Sequence, residues 1–227
     1  MGTIAKNLED TRGRIARAAA KSGRTSADIT LVAVTKTIDV GRIREALAYG
    51  VRDLGENKVQ ELVAKAAQLN EAGEKPTWHM IGRLQTNKAR AAAQTAALIH
   101  SVDSMRLAEE IDRRAMSPVD VLMQVNAANE GTKAGIDVES AKAFAHDLQK
   151  LPNICLRGLM TIAPAVENPE GNRLVFGKMN KLFVDIRDGL DNNIVKFLSM
   201  GMTSDFEIAI EEGANIVRIG TGIFGER

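Results

Sequence analysis

The sequence predicts a single (β/α)8 barrel, an α/β fold, with one extra helix at its N-terminus. Eight short β-branched segments alternate with longer helical patterns along the 227 residues. The strand segments are almost continuously apolar, which is typical of parallel strands covered on both faces. This length suits one barrel, so we expect residues 1–227 to form a single domain.

The elements are expected to alternate regularly after a first helix at 3–22. The strands are predicted at 30–35, 51–55, 77–82, 98–102, 119–125, 154–161, 195–199 and 216–219. The helices between them are predicted at 40–49, 58–70, 85–94, 104–115, 138–150, 169–188 and 204–212. Polar loops at 126–137 and 164–171 complete the pattern, and Lys133 in the first is expected to be a solvated lysine.

A doubly wound open sheet is the alternative arrangement of these elements. Such sheets usually carry a glycine-rich turn directly after the first strand, where this chain has TKTIDV (35–40). The count of eight strands favours closure into a barrel.

Composition and charge exclude several classes of protein. Thirty basic and 29 acidic residues leave a formal charge of +1. No basic cluster is interleaved with aromatic residues, so no nucleic-acid partner is expected. The apolar segments are strand-sized, so no membrane span is expected. A single cysteine excludes an intrachain disulfide, and the amphipathic N-terminus lacks the apolar core of a signal peptide, which together favour a cytoplasmic protein.

Barrel proteins bind ligands at the C-terminal ends of their strands, where this sequence has a polar, glycine-rich rim around one lysine. Lys36 ends the apolar segment LVAVTK (31–36). Desolvation at a barrel mouth favours the neutral amine of a lysine, and a neutral amine can form an imine with an aldehyde. A structural ion pair with a rim carboxylate such as Glu56 is the alternative.

Two turns rich in Gly, Ser and Thr follow the seventh and eighth strands, where barrels often build a phosphate site. They are SMGMTSD (199–205) and RIGTGIFG (218–225). Their small residues allow backbone N–H groups to converge on an anion, and a helix that starts near Ser204 adds its positive end. Ser204 is also predicted to cap this helix, with Glu207 as its capping-box partner.

The other polar side chains of the rim allow several roles. Arg218 can bind a phosphate, face a ring nitrogen, or form a salt bridge to Glu56, Asp205 or Glu207. His79 is expected to hydrogen-bond to a neighbouring strand. The three histidines (79, 100 and 146) have no metal-ligand spacing and no cysteine cluster nearby, so no metal site is expected.

Six motifs occur in order from about residue 30 to residue 225. They are AVTKT (33–37), GENKVQE (55–61), WHMIGRLQTNKAR (78–90), GLMTIAP (158–164), LSMGMTSDFEIAIEEG (198–213) and VRIGTGIFG (217–225). Together they resemble the pyridoxal phosphate homeostasis protein family, the single-domain fold-type III proteins related to the N-terminal domain of alanine racemase. The departures are small, since only Leu54 and Lys58 stand where many members carry aromatic residues.

The resemblance implies a protein of intracellular vitamin B6 homeostasis that binds pyridoxal 5'-phosphate (PLP). It implies that Lys36 holds this cofactor reversibly as a Schiff base and that Arg218 lies against the pyridine nitrogen. It implies a phosphate site formed by Ser204 and the backbone of Gly201, Gly220 and Thr221. It implies a pocket lined by Asn57, His79 and Met160. The implied partners are PLP and, transiently, PLP-dependent apo-enzymes, and a monomer or weak homodimer is expected.

A carrier is expected here rather than an enzyme. The related alanine racemases use a lysine and a tyrosine as two bases, and the tyrosine comes from a second, β-rich domain. This chain ends at Arg227, soon after the eighth strand, and its only tyrosine, Tyr49, is predicted on the outer ring of helices. A cation at the ring nitrogen, here Arg218, also disfavours the protonated pyridine, which is the better electron sink.

Two enzymatic alternatives remain open. The first is a PLP-dependent amino-acid racemase. The second is an aldolase-type barrel in which Lys36 forms an imine with a phosphorylated sugar. The strand ends offer only Glu56 and Asp103 as the acid–base partner that an aldolase needs.

Overall fold

A closed barrel of eight parallel strands forms the centre of the computed structural model, which describes residues 2–128, 134–190 and 194–226. The strands are β1 (Thr30–Val34), β2 (Asp53–Glu56), β3 (Thr77–Met80), β4 (Leu98–Val102), β5 (Val119–Asn126), β7 (Ile154–Met160), β8 (Phe197–Ser199) and β9 (Ile216–Ile219). They follow this order around the barrel, and β9 pairs with β1. A short β6 (Ile136–Asp137) is added beside β5. The predicted barrel is therefore confirmed, and the open sheet is wrong because the edge strands pair.

Helices connect the strands on the outside of the barrel. They are α1 (Thr3–Lys21), α2 (Val40–Ala48), α3 (Val59–Glu71), α4 (Ala89–Thr95), α5 (Met105–Arg114), α6 (Ala141–Leu148), α7 (Arg173–Gly189), α8 (Phe206–Glu211) and α9 (Thr221–Phe224). In the described residues, none of these helices combines the length and the apolar character that crossing a membrane requires.

The expected helices at 85–94, 138–150 and 169–188 differ from the structure in their first turn. Each of these segments opens with a 3-10 turn, at Thr86–Lys88, Val138–Ser140 and Pro169–Asn172. The last of them also takes up the end of the predicted loop at 164–171. Helical periodicity alone cannot separate the two geometries, because a single turn differs only in its hydrogen-bond spacing. The expectation for Lys133 lies outside the described residues.

The apolar core has two parts because the strands are covered on both faces. Inside the barrel lies a small cluster of Val32, Leu98, Leu122, Met160 and Ile216. A much larger cluster fills the space between the barrel and the helices. The interior also contains polar side chains, among them His79, His100 and Ser199. A barrel interior with few apolar residues leaves room for buried polar groups to reach the mouth.

The N-terminal helix α1 fastens the last elements of the chain. The Nη2 atom of Arg14 donates to Glu207 on α8 at 2.6 Å, and its guanidinium lies 4.5 Å from the ring centre of Phe206. The Asn7 amide donates to the carbonyl of Ile223 on α9 at 3.0 Å. These contacts hold the two helices that follow the glycine-rich turns, so α1 supports the mouth of the barrel from outside.

Gly158 marks the closest approach of two strands, β7 and β8. Its φ angle is 156°, and a Cβ atom there would lie 1.8 Å from the carbonyl oxygen of Phe197. That oxygen belongs to the backbone and cannot move aside without breaking the strand pair. Only glycine fits this position.

We therefore expect Gly158→Ala to lower the free energy of unfolding by about 1–3 kcal/mol, the usual cost of overpacking. Gly13→Ala is the matched control. Gly13 lies inside α1, where an added Cβ meets only the flexible end of Arg17 at 3.4 Å. This change should raise the free energy by about 0.5–1 kcal/mol. Urea denaturation measures both, and equal effects would contradict the close approach.

Candidate functional site

A cavity of about 320 Å³ opens at the C-terminal mouth of the barrel, beside the ends of β1, β8 and β9. These strands are neighbours in the barrel although β1 is far from the others in sequence. Among the predicted site residues, the cavity is lined by Lys36, Ser204, Arg218, Gly220 and Thr221. Val34, Met202 and Thr203 complete the lining. The structure thus brings together the predicted lysine, the predicted arginine and both glycine-rich turns.

Lys36 is half-buried and follows β1 by two residues. Its amine has no hydrogen bond or ion pair with any described residue. The expected alternative, a structural pair with Glu56, is wrong because Glu56 pairs with Lys65 at 2.7 Å. Lys36 is therefore available to a ligand in the cavity that it lines.

Lys65, on α3, ties together the strand ends beneath this lysine. Its ammonium group donates to the carbonyl of Thr35 at 2.7 Å, to Glu56 at 2.7 Å and to Glu61 at 2.9 Å. The Thr35 hydroxyl donates to the same Glu56 oxygen at 2.6 Å. All three donors of the lysine are used, and the fully buried Glu56 is compensated. The pair between Lys65 and Glu56 is not predicted from the sequence. The only local signal for Lys65 is its i,i+4 spacing from Glu61.

The backbone after Lys36 is held in a strained conformation. Thr37 has a φ angle of 63°, in the left-handed region that β-branched residues rarely adopt. Its N–H group donates to Glu61 at 2.9 Å. This hydrogen bond lowers the pKa of the Glu61 carboxyl, with Lys65 acting in the same direction. Both neighbours of Lys36 are thus held by one cluster of charges, which fixes where the lysine side chain starts.

Arg218 is buried at the inner wall of the cavity. Its Nη1 atom donates to the Ser199 hydroxyl at 2.6 Å and its Nη2 atom to the carbonyl of Thr161 at 2.8 Å. Burial lowers the pKa of Arg218 to about 10, and the negative charge of Asp205 acts in the opposite direction. The guanidinium stays charged at neutral pH, and hydrogen bonds to described residues use two of its five N–H groups.

The salt bridges considered as an alternative for Arg218 do not occur among the described residues. Glu56 pairs with Lys65, and Glu207 pairs with Arg14 on the outer surface. Asp205 accepts from the amide of Asn172 at 2.9 Å and from the N–H of Met202 at 2.7 Å. The carboxylates near the mouth therefore have other partners.

The two glycine-rich turns are bound to each other through Thr203. Its hydroxyl oxygen accepts from the N–H of Gly222 at 3.3 Å and lies 3.2 Å from the hydroxyl of Thr221. Gly201 has a φ angle of 92°, and a Cβ atom there would lie 2.8 Å from the Cα of Phe206, so the first turn requires glycine. Thr203 belongs to the first of the two predicted turns, and its contacts show that it joins them.

Ser204 does not cap the following helix. It is exposed and lies in the turn before α8, whose N-cap position is taken by Asp205. The expected capping box is therefore wrong, since Glu207 is bound to Arg14. Ser204 lines the cavity instead, where its hydroxyl can reach a ligand.

Four predicted site residues do not line this cavity. Gly201 lies directly behind it, and its carbonyl accepts from the N–H of Arg218 at 3.1 Å. His79 and Met160 are buried in the barrel interior, and Met160 belongs to its apolar cluster. Asn57 is half-buried in the turn after β2. Contact between these four residues and a cofactor stays a prediction. In the described residues, no group of three His, Cys, Asp or Glu side chains forms a metal site.

A larger cavity of about 850 Å³ lies at the rim next to β3 and β4. Its lining includes Arg83, Arg106 and Asp103 but no lysine. Because imine chemistry requires an amine, the smaller cavity beside Lys36 is the candidate site.

Comparison with known proteins places the chain in a recognised group. Residues 7–227 match the family described as alanine racemase, N-terminal domain. A pyridoxal phosphate homeostasis protein of Pseudomonas aeruginosa is 40% identical over 230 residues, covering 100% of this chain and 97% of the relative. The protein of that name from Aquifex aeolicus is 44% identical over 220 residues, covering 94% of each chain.

Solved structures agree with this relationship. PipY of Synechococcus elongatus, described with PLP bound, has a TM-score of 0.84 at 35% identity and covers 98% of this chain and 100% of its own. Alanine racemase of Corynebacterium glutamicum has a TM-score of 0.71 at 18% identity, covering 99% of this chain and 61% of the racemase. The latter similarity concerns the fold alone.

Removing the amine of Lys65 should destabilise the protein strongly. We expect Lys65→Met to lower the free energy of unfolding by about 3–5 kcal/mol, because Glu56 is left buried without a counter-charge. The double variant Lys65→Met/Glu56→Gln should recover most of this loss, because no buried charge remains. Urea denaturation measures both. A single variant as stable as the double one would contradict the role of the pair.

The contribution of Glu61 should depend on pH. Its folded pKa lies below the ordinary value of 4.5, so its stabilisation is fully present above pH 4.5 and is lost as the pH falls through the folded pKa. We therefore expect the difference in urea midpoint between wild type and Glu61→Gln to be largest near neutral pH and to vanish in acid. A difference that grows on acidification would show that the charge of Glu61 does not stabilise the turn.

Proposed function

Because the chain belongs to the alanine racemase N-terminal domain family, and within it to the pyridoxal phosphate homeostasis proteins, we propose that it binds PLP reversibly and serves vitamin B6 homeostasis in the cytoplasm. Relatives that carry this name align with essentially the whole chain. The relative PipY is described with PLP bound.

One observation supports this proposal above the others: the amine of Lys36 lacks a partner among the described residues, in a cavity that also contains Arg218. The surrounding residues fit the cofactor chemically. An aldehyde requires an amine, a phosphate requires N–H and hydroxyl donors, and an aromatic nitrogen accepts from a donor. Lys36, the two threonine- and glycine-containing turns, and Arg218 supply these groups in one cavity.

When bound, the cofactor would supply an aldehyde, a group with which a lysine amine can react. Lys36 would provide that amine, from a backbone that Lys65 and Glu61 hold in place. Ser204 and the backbone of Gly201, Gly220 and Thr221 would bind the phosphate. Arg218 would donate to the ring nitrogen, and Asn57, His79 and Met160 would surround the ring.

A carrier role fits these residues better than racemisation. A two-base racemase needs a second base next to the lysine. Tyr49, the only tyrosine, is 41% exposed at the end of α2 and does not line the cavity. Arg218 would also place a positive charge next to the ring nitrogen, which opposes protonation of the ring. We propose that the protein exchanges PLP with apo-enzymes and acts as a monomer or weak homodimer.

The aldolase alternative lacks its acid–base partner. Glu56 is fully buried and bound to Lys65 and Thr35. Asp103 lines the other cavity, next to Arg83 and Arg106. Neither of the two carboxylates considered for this role lines the cavity of Lys36.

The test is the visible spectrum of purified protein that has been incubated with PLP and desalted. We expect wild type to retain the absorption band of a protonated Schiff base, and borohydride to discharge this band and attach the cofactor permanently. Lys36→Ala should retain no band. Lys58→Ala is the matched control, since Lys58 is an exposed lysine of the same rim that lies outside the cavity.

Mass spectrometry after reduction identifies the modified lysine. Modification of a residue other than Lys36, or no retained band in wild type, would reject the proposed site. Turnover of an amino acid by wild type at about 1 per second or faster would replace the carrier with the racemase alternative.

A further inference from the structure

A chain of hydrogen-bonded side chains crosses the barrel interior below Arg218. The guanidinium donates to the Ser199 hydroxyl at 2.6 Å, and this hydroxyl lies 3.0 Å from Nδ1 of His100. Nε2 of His100 lies 3.0 Å from Nδ1 of His79, and Nε2 of His79 lies 3.0 Å from a carboxylate oxygen of Asp53. The chain joins residues of β9, β8, β4, β3 and β2.

The two ends of this chain open to opposite sides of the barrel. Arg218 lines the cavity of Lys36 at the C-terminal mouth. Asp53 is the first residue of β2 and lines a cavity of about 410 Å³ at the N-terminal end, together with Thr30, the first residue of β1. The Asp53 side chain is 26% exposed, whereas the residues between the two ends are buried.

With both histidine rings neutral, the chemistry of the two ends sets the direction of every hydrogen bond between them. An arginine only donates and an ionised carboxylate only accepts. His79 must therefore donate from Nε2 to Asp53, which makes its Nδ1 an acceptor when the ring is neutral. His100 then donates from Nε2 and accepts at Nδ1. Nδ1 of His100 accepts a hydrogen bond from the Ser199 hydroxyl. The lone pairs of the Ser199 oxygen can then accept from Arg218.

The surroundings of His100 support this arrangement. The ring is fully buried, and this burial lowers the pKa of His100 well below 6.5, with the positive charge of Arg218 acting in the same direction. His100 is therefore neutral near pH 7 and can accept at one nitrogen while donating at the other. The rings of His79 and His100 meet edge to face, 5.2 Å apart at 71°.

We propose that Ser199, His100 and His79 are positioning residues that hold Arg218 towards the ring nitrogen of the cofactor, with Asp53 as the terminal acceptor. This inference rests on the proposed function, since it concerns the contact between Arg218 and PLP. Arg218 has no ion pair with a residue that the structure describes, so the buried guanidinium depends on its neutral acceptors for orientation. When the Ser199 hydroxyl donates to His100, both lone pairs of its oxygen remain for Arg218. The chain thus links the ligand site to a carboxylate at the far end of the barrel.

Nitrogen NMR of the histidine rings tests the chain in cofactor-free protein. We expect His79 and His100 to carry their proton on Nε2 near neutral pH, with the exposed His146 as the reference for a ring outside the chain. Asp53→Ala should change the ring signals of both His79 and His100, because the terminal acceptor is lost. A proton on Nδ1 of His100, or unchanged His100 signals in Asp53→Ala, would overturn the proposed direction.

The cofactor itself provides the second readout. We expect Ser199→Ala to weaken PLP binding by about tenfold and to shift the position of the absorption band. The reason is that the charged guanidinium of Arg218 loses one of its hydrogen-bond acceptors. Ser101→Ala is the matched control. Ser101 is an equally buried serine of the barrel, but its hydroxyl donates to the carbonyl of Gly82 at 2.7 Å and is not part of the chain.

The outcomes separate this inference from the proposed function. Wild type that binds no PLP rejects the proposed function, while the NMR result on the same protein still decides the direction of the chain. If wild type and Ser199→Ala bind PLP with the same affinity and the same band position, the positioning role is rejected. Equal losses in Ser199→Ala and Ser101→Ala would also reject it, because they would show a general effect of removing a buried hydroxyl.

Discussion

The buried ion pair between Lys65 and Glu56 is the interaction on which the candidate site depends. It joins α3 to the ends of β1 and β2, and it holds the carbonyl of Thr35 just before Lys36. A buried pair of this kind adds little net stability, but it imposes a single geometry because either partner alone would be an uncompensated charge. Because Lys65 occupies Glu56, Lys36 has no carboxylate partner among the residues that the structure describes. The amine of Lys36 is available to a ligand because a second lysine, Lys65, forms the structural pair.

The opposite wall of the site also contains a buried cation, which is stabilised in a different way. This cation is Arg218, and its acceptors are the hydroxyl of Ser199 and a backbone carbonyl. Neutral acceptors leave the positive charge uncancelled where a ligand would lie. The polar barrel interior makes this possible, because His100 and His79 continue the hydrogen bonds towards Asp53. Both walls are held from outside by α1 and α3, so the packing of the helices and the geometry of the mouth are inseparable.

Much of the architecture could be predicted from local patterns. The strands at 98–102 and 216–219 agree with the structure at both ends, because continuous apolar segments bounded by polar residues mark strands covered on both faces. The position of Lys36 at a strand end, and of two glycine-rich turns after the last strands, was enough to predict that the lysine and both turns meet at the mouth. The errors lie where a neighbour in space decides. The local pattern predicts Ser204 as the N-cap of α8, but Asp205 takes that position. Its expected partner Glu207 instead binds Arg14 on α1, almost 200 residues away in sequence.

The sequence by itself determined the barrel, the order of its elements and the lysine and arginine at its mouth, because periodicity, strand ends and glycine-rich turns are local properties of the chain. Only the tertiary structure decided which charges pair and which stay free. Lys65 and Glu56 are nine residues apart and meet through the β2–α3 connection, whereas His100 and Ser199 meet across 99 residues and the width of the barrel. Hydrogen bonds act over about 3 Å, so their partners are set by closure of the barrel, which no local pattern in the sequence encodes.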